Sequence, residues 1–196
     1  MSQEVRLRRR VGMWNWIILN RLAAFERRYG YDASYMRELL AIDRRAFWAF
    51  VRATRLGAYR RDAPRDVVYA AALTSIIAED CGPCTQLGVA MALEQGSSPA
   101  VLAAIVRGDE AALPEDVALG RRFARAVIEH APAADELRAE IERRWGKRAV
   151  VALAFAVLTS RMYPTVKYAL GHGHACQRVV VGGEPVRPYT ALEAGA

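Results

Sequence analysis

Proline and glycine divide this chain into segments of helical length, and this punctuation constrains the fold more than any other feature. Proline is favoured in the first helical turn, where its missing N–H would have had no partner, and four segments open in this way: at Pro64, Pro83, Pro99 and Pro114. Two of these segments stop at Gly96 and Gly108, as helices commonly do. Because strands do not alternate with helices, the sequence predicts an all-α helical bundle.

Cap residues place two further helices. Asp43 is predicted to cap a helix that ends at Gly57, and Asp135 is predicted to cap one that ends at Trp145–Gly146.

The stretch from Ala149 to Leu158 is apolar on all sides, which predicts a central or subunit-facing helix and hence a homo-oligomer. Beyond Tyr163–Pro164 the glycine and proline content predicts an irregular C-terminal tail, with one short strand at 179–181.

The basic residues are concentrated at one end of the chain. Residues 1–61 carry a net charge of +9, whereas residues 62–196 carry −2. We therefore divide the chain into a basic helical N-terminal extension, 1–61, packed on a helical body, 62–196, with a single domain overall. One helical face of the extension is apolar and flanked by arginines, which is typical of a helix that lies on an anionic membrane or packs on the body or another subunit; it carries Trp14, Ile18, Leu22 and Phe25.

Composition narrows the class of protein. No aromatic-interleaved basic motif is present, so we expect no nucleic-acid partner. Three cysteines exclude a disulfide-stapled secreted scaffold. The basic start with its short apolar run mimics a signal peptide, but no small-residue cleavage site follows, so we expect a cytoplasmic protein.

The strongest chemical signal is the sequence Cys81-Gly-Pro-Cys84 at the start of a predicted helix. Two thiols at this spacing can close a disulfide within one turn, and the helix N-terminus stabilises a thiolate, in this geometry that of Cys81. Glu79 and Asp80 precede the pair, and they either disfavour the thiolate or supply a proton acceptor. A zinc site is the weaker alternative, because the remaining candidate ligands, His172, His174 and Cys176, lie far along the chain.

With this motif preceded by a long helix, the region from Pro64 to Ser160 resembles the carboxymuconolactone decarboxylase and alkylhydroperoxidase D-like family, in a branch with a CGPC motif. The resemblance implies an all-helical homo-oligomer with thiol peroxidase or disulfide reductase activity and no cofactor or metal. It also implies that Cys84 attacks peroxide and Cys81 resolves, which is the reverse of the assignment from the helix terminus. Both assignments stay open.

The proton relay of the peroxidase members is missing from its usual positions, because Gly88 stands where they carry a histidine and Tyr69 where they carry a glutamate. The candidates to replace it are Glu79, Asp80, Tyr69, His172 and His174. Lys167 is a further candidate, since its charge near the pair would lower a thiol pKa.

The sequence thus predicts a thiol-disulfide oxidoreductase, or a weak peroxide reductase, that cycles Cys81 and Cys84 between dithiol and disulfide. Its partners would be a peroxide or disulfide substrate and a thiol reductant. The alternative function is a non-catalytic module of the same fold, whose basic N-terminal helix binds a partner or contacts an anionic membrane peripherally.

Overall fold

A computed structural model describes residues 13–173 and 179–189. The predicted all-α class is confirmed, because the described residues form nine α-helices and only one small sheet. The helices are α1 Met13–Tyr29, α2 Ser34–Ile42, α3 Arg44–Thr54, α4 Arg65–Ala78, α5 Gly82–Glu94, α6 Pro99–Arg107, α7 Glu115–Ile128, α8 Ala133–Trp145 and α9 Lys147–Ala169. Short 3₁₀ helices span Arg55–Ala58 and Glu110–Ala112. Strands β1 Val179–Val181 and β2 Glu184–Val186 pair antiparallel, so the predicted strand is present.

The chain divides into two compact units, one ending at Ala53 and one beginning at Thr54. The predicted partition into 1–61 and 62–196, and the packing of one part on the other, stay predictions. Within the N-terminal unit an Arg37–Glu26 ion pair joins α2 to α1. Asp43 caps α3 as predicted, since its carboxylate accepts the Arg45 backbone N–H at 2.7 Å.

The unit that begins at Thr54 is built around α4. Almost every residue of α4 from Val67 to Ile77 is buried, and apolar clusters lie on both sides of it. One cluster includes side chains of α5, α6 and the β-hairpin, and the other includes side chains of α7, α8 and α9. Gly120 of α7 allows a close helix approach, because a Cβ there would lie 2.8 Å from the Val67 carbonyl oxygen.

Helix α9 differs from the sequence-based expectation in its burial and in its length. It buries one face, whereas Val151 and Leu158 on the other side are 41% and 50% exposed, so α4 is the central helix of this unit and a subunit-facing role for α9 stays a prediction. It also continues through Pro164 to Ala169, where the sequence predicted irregular chain. Pro164 is buried, and contacts from beyond the proline to the end of α4 fix the last turn, so tertiary packing outweighs the local preference.

By length and composition alone, α9 is also apolar enough to cross a membrane. Core helices of water-soluble proteins meet the same criterion, and α9 contributes Leu153 and Val157 to the apolar cluster beside α4.

Candidate functional site

The structure brings the two cysteines of the CGPC motif together at the start of α5. Their sulfur atoms lie at disulfide distance and their Cα atoms are 5.3 Å apart, within the normal range for a disulfide. Cys81 is the residue before the first turn of α5, and Pro83 lies within that turn. The Cys81 carbonyl accepts the Thr85 backbone N–H at 2.9 Å and the Thr85 hydroxyl at 3.0 Å, which fixes the turn that carries the pair.

Both cysteines lie just below the surface of their unit. Cys81 and Cys84 are each 5% exposed, and the neighbouring Gly82 and Thr85 are buried. A folded protein substrate would need the surrounding residues to move before it reached the sulfur atoms.

A strained turn presents the pair. Asp80 connects α4 to Cys81 with φ of 50°, in the left-handed region that aspartate tolerates better than most residues. Its backbone N–H donates to the Ile77 carbonyl at 3.0 Å, and its own carbonyl accepts the Tyr168 hydroxyl at 3.2 Å. The Asp80 side chain is exposed. The turn is thus held from both α4 and α9.

Helix α9 runs alongside α4 and forms an ion pair with the chain beyond each end of α4. Arg148, near the start of α9, pairs with Asp62, which precedes α4, at 2.6 Å. Further along, Arg161 forms an ion pair with Glu79. The Glu79 carboxylate next to the cysteine motif is therefore neutralised by a guanidinium group.

Lys167 is buried at the same end of α9, with 4% of its surface exposed. It lies on the helix face that carries Leu153 and Pro164, both buried, and it precedes Tyr168, which holds the turn before Cys81. The structure therefore encloses a lysine side chain in the bundle, next in sequence to the residue that holds the turn before Cys81.

Gly88 occupies the position at which the resembled peroxidases carry a histidine, and no side chain fits there without rearrangement. A Cβ at Gly88 would lie 2.8 Å from Leu73 Cδ2 and 3.4 Å from Ile76 Cδ1. Leu73 is completely buried. Close packing of α4 on α5 thus leaves no room for a histidine side chain at this position unless Leu73 moves.

Tyr69 is not brought together with the cysteine pair. Its hydroxyl donates to the Met91 carbonyl at 3.3 Å, and the Arg60 guanidinium lies 4.9 Å from its ring centroid. Met91 is seven residues beyond Cys84, which is about 10 Å along the helix axis.

His172 follows the end of α9, and its backbone N–H donates to the Lys167 carbonyl at 2.9 Å. His174 and Cys176 lie outside the described residues. Over 13–173 and 179–189, no three His, Cys, Asp or Glu side chains come together as a metal site.

Sequence reasoning missed the attachment of the β-hairpin beside the pair. Gln86, two residues after Cys84, donates its amide to the Val180 carbonyl at 3.1 Å and accepts the Val180 backbone N–H at 2.6 Å. This side chain therefore pairs with the edge of β1 as a strand would. A glutamine and a valine 94 residues apart give no local signal from which the pairing could be predicted.

No protein-family model matches this chain, and no curated protein or solved structure matches it either.

Proposed function

We propose that this chain is a thiol-disulfide oxidoreductase, acting on a small disulfide or as a weak peroxide reductase. The observation that supports the proposal is the pairing of Cys81 with Cys84 at disulfide distance at the start of α5. The resemblance to the alkylhydroperoxidase D-like family remains part of the proposal. It is supported by the position of the cysteine pair at the start of a helix that follows a long helix.

In the peroxide reaction, one thiolate attacks an oxygen of the hydroperoxide and breaks the O–O bond, giving a sulfenic acid and releasing the alcohol. The second thiol attacks the sulfenic sulfur, forming the Cys81–Cys84 disulfide and releasing water. A thiol reductant then attacks the disulfide, and a second equivalent resolves the mixed disulfide, which restores the dithiol and oxidises the reductant to its own disulfide. Such a reductant is available in the cytoplasm, where we place the protein.

The surroundings of the pair favour a small substrate and a thiolate that is stabilised without the histidine relay. Both cysteines are 5% exposed, which suits a low-molecular-weight peroxide or disulfide. The α5 N-terminus favours a negative charge on sulfur. Arg161 compensates the charge of Glu79, so that carboxylate opposes the thiolate less than its sequence position predicts.

We also propose a homo-oligomer whose interface includes the outer face of α9. Two large apolar side chains, Val151 and Leu158, are exposed there. Molar mass measured by light scattering on the wild type and on Leu158→Glu tests this: a smaller assembly is expected for the variant, and a monomeric wild type would contradict it.

The redox proposal is tested in a Cys176→Ser background, so that only the paired thiols are counted. The reduced chain is treated with one equivalent of peroxide, and the remaining thiols are counted and the mass measured. We expect both thiols to disappear, with loss of two hydrogen atoms and no added oxygen. Persistence of both thiols, or oxidation to a stable oxygen adduct without a disulfide, would contradict the proposal and leave the non-catalytic helical module.

The single variants Cys81→Ser and Cys84→Ser identify the attacking cysteine in the same background. The variant that retains the attacking thiol forms a sulfenic acid that dimedone traps, and the other variant reacts much more slowly. Equal amounts of dimedone adduct in both variants would indicate that the two thiols react independently with peroxide. This result would contradict a division into attacking and resolving roles.

A further inference from the structure

A second feature of the molecule lies in the N-terminal unit, on one face of α3. Arg44, Trp48 and Arg52 recur at intervals of four residues, and together with Arg45 and Asp43 they line a concavity of about 440 Å³. A volume of this order matches a pocket for a small molecule. Three guanidinium groups and one indole therefore border the same space.

These guanidinium groups are not neutralised within the part of the chain that the structure describes. Among the described residues, no carboxylate pairs with the side chains of Arg44, Arg45 or Arg52. Arginines elsewhere in the chain form ion pairs with carboxylates, as Arg148 does with Asp62. The one acidic residue at the concavity, Asp43, uses Oδ1 to accept the Arg45 backbone N–H at 2.7 Å.

The helix to which these residues belong adds to the positive potential. Arg44 and Arg45 open α3, and its first turn contains no acidic residue. The N-terminus of a helix carries partial positive charge, so cations there are unfavourable and anions are stabilised. The sequence thus places two cations at a helix N-terminus where the Asp43 cap is the acidic side chain lining the concavity, and a bound anion would add to that compensation.

Trp48 gives the concavity an apolar wall. It is partly buried, and its ring packs edge-on against Phe47 with centroids 5.4 Å apart, which holds the indole in place. A held aromatic face beside several guanidinium groups suits a ligand that has both a strongly anionic group and an apolar part.

We propose that this concavity binds a phosphate group, with the apolar part of the phosphate-bearing molecule against Trp48. Phosphate is favoured over a carboxylate because its charge, close to −2, better balances three guanidinium groups, which bind its oxygens with directed, charge-assisted hydrogen bonds. The phosphate is carried either by a soluble ester or by a lipid headgroup. The inference is independent of the redox function, since none of its residues belongs to the cysteine site.

The test measures binding to the full chain with two probes. Inorganic pyrophosphate is titrated by calorimetry, and sedimentation is measured with phosphatidylglycerol-containing vesicles and with phosphatidylcholine vesicles alone. Binding of pyrophosphate supports a soluble phosphate ligand, and binding only to the phosphatidylglycerol vesicles supports a headgroup. Binding of neither probe would overturn the proposal.

The variant Arg44→Gln/Arg52→Gln is compared with Arg107→Gln/Arg187→Gln, which removes the same charge at exposed arginines of the other unit. We expect at least about a tenfold loss of affinity, equivalent to about 1.4 kcal/mol, in the first variant only. Equal losses in both would mean that net charge alone attracts the probe, and the proposal would fail. Trp48→Phe should retain binding of pyrophosphate, and circular dichroism verifies that each variant is folded.

Discussion

The close contact between Gly88 of α5 and Leu73 of α4 gives the most precise quantitative prediction. Replacing Gly88 by alanine would put a Cβ 2.8 Å from Leu73 Cδ2. Carbon atoms attract at about 3.5–4.0 Å, so Leu73 must retreat by about 0.7 Å or more. Leu73 is completely buried in a cluster with Val89 and Ile105, where such a movement displaces other side chains.

The expected free energies follow from this clash. Overpacking a core costs about 1–3 kcal/mol, and replacing a helical glycine by alanine contributes about 1 kcal/mol in the opposite direction. We therefore expect Gly88→Ala to lower the free energy of unfolding by about 1 kcal/mol. Leu73→Ala alone should lower it by about 2–5 kcal/mol, because it leaves a cavity.

The double variant separates the clash from the other contributions. Once Leu73 is truncated, Gly88→Ala no longer meets a side chain at short distance and should stabilise the protein by up to about 1 kcal/mol. Urea unfolding of the four proteins, followed by far-ultraviolet circular dichroism, gives the coupling free energy, for which we expect about 1–3 kcal/mol. If Gly88→Ala stabilises the protein equally in both backgrounds, the space is open, and packing does not explain why a relay histidine is missing.

Three further predictions concern other parts of the molecule. Lys167→Met should move the pH profile of alkylation of the reduced pair to higher pH, and Lys167→Arg should restore it; identical profiles would remove this residue from the site. Gly120→Ala should destabilise the protein by about 1–3 kcal/mol in urea unfolding, because the added Cβ would lie 2.8 Å from the Val67 backbone oxygen. The loss should persist in a Val67→Ala background, and rescue by Val67→Ala would contradict the prediction. Burial raises the pKa of the Tyr189 phenol above its ordinary value. The unfolded chain therefore loses this proton first, and the free energy of unfolding falls as pH rises above about 10. Tyr189→Phe should reduce this alkaline fall, and an unchanged dependence of the free energy on pH would refute the prediction.

Local chemistry predicted most helix boundaries correctly. Pro99 opens α6, and Gly108, with φ of 74°, follows its last residue, because these residues act on the backbone within one turn. The end of α9 could not be predicted in this way. Pro164 disfavours a continuing helix locally, and only the packing of α9 beside α4 overrides that preference.

Composition also could not predict which helix is the most buried. The stretch Ala149–Leu158 is apolar on all sides, yet α9 buries one face only, whereas α4 is enclosed by neighbours on both sides. Apolar character shows which residues tolerate burial, whereas the number of neighbouring helices decides which residues are buried.

The candidate site likewise has one part that the local sequence predicts and another part that it does not. The proximity of Cys81 and Cys84 was predictable, because only two residues separate them and one turn determines their distance. The groups that surround them come from far along the chain: Arg161 is 82 residues from Glu79, and Tyr168 is 88 residues from Asp80. No periodicity links such residues, so their roles required the tertiary structure.

These distant groups bear on a question that the motif alone left open, which is whether Glu79 and Asp80 oppose a thiolate or assist in forming one. An unpaired carboxylate beside Cys81 would raise the pKa of that thiol, but Glu79 is held by Arg161 and the Asp80 side chain is exposed to water, which screens its charge. The two carboxylates therefore oppose a thiolate less than their sequence positions predict, and in the proposed mechanism the α5 N-terminus stabilises it.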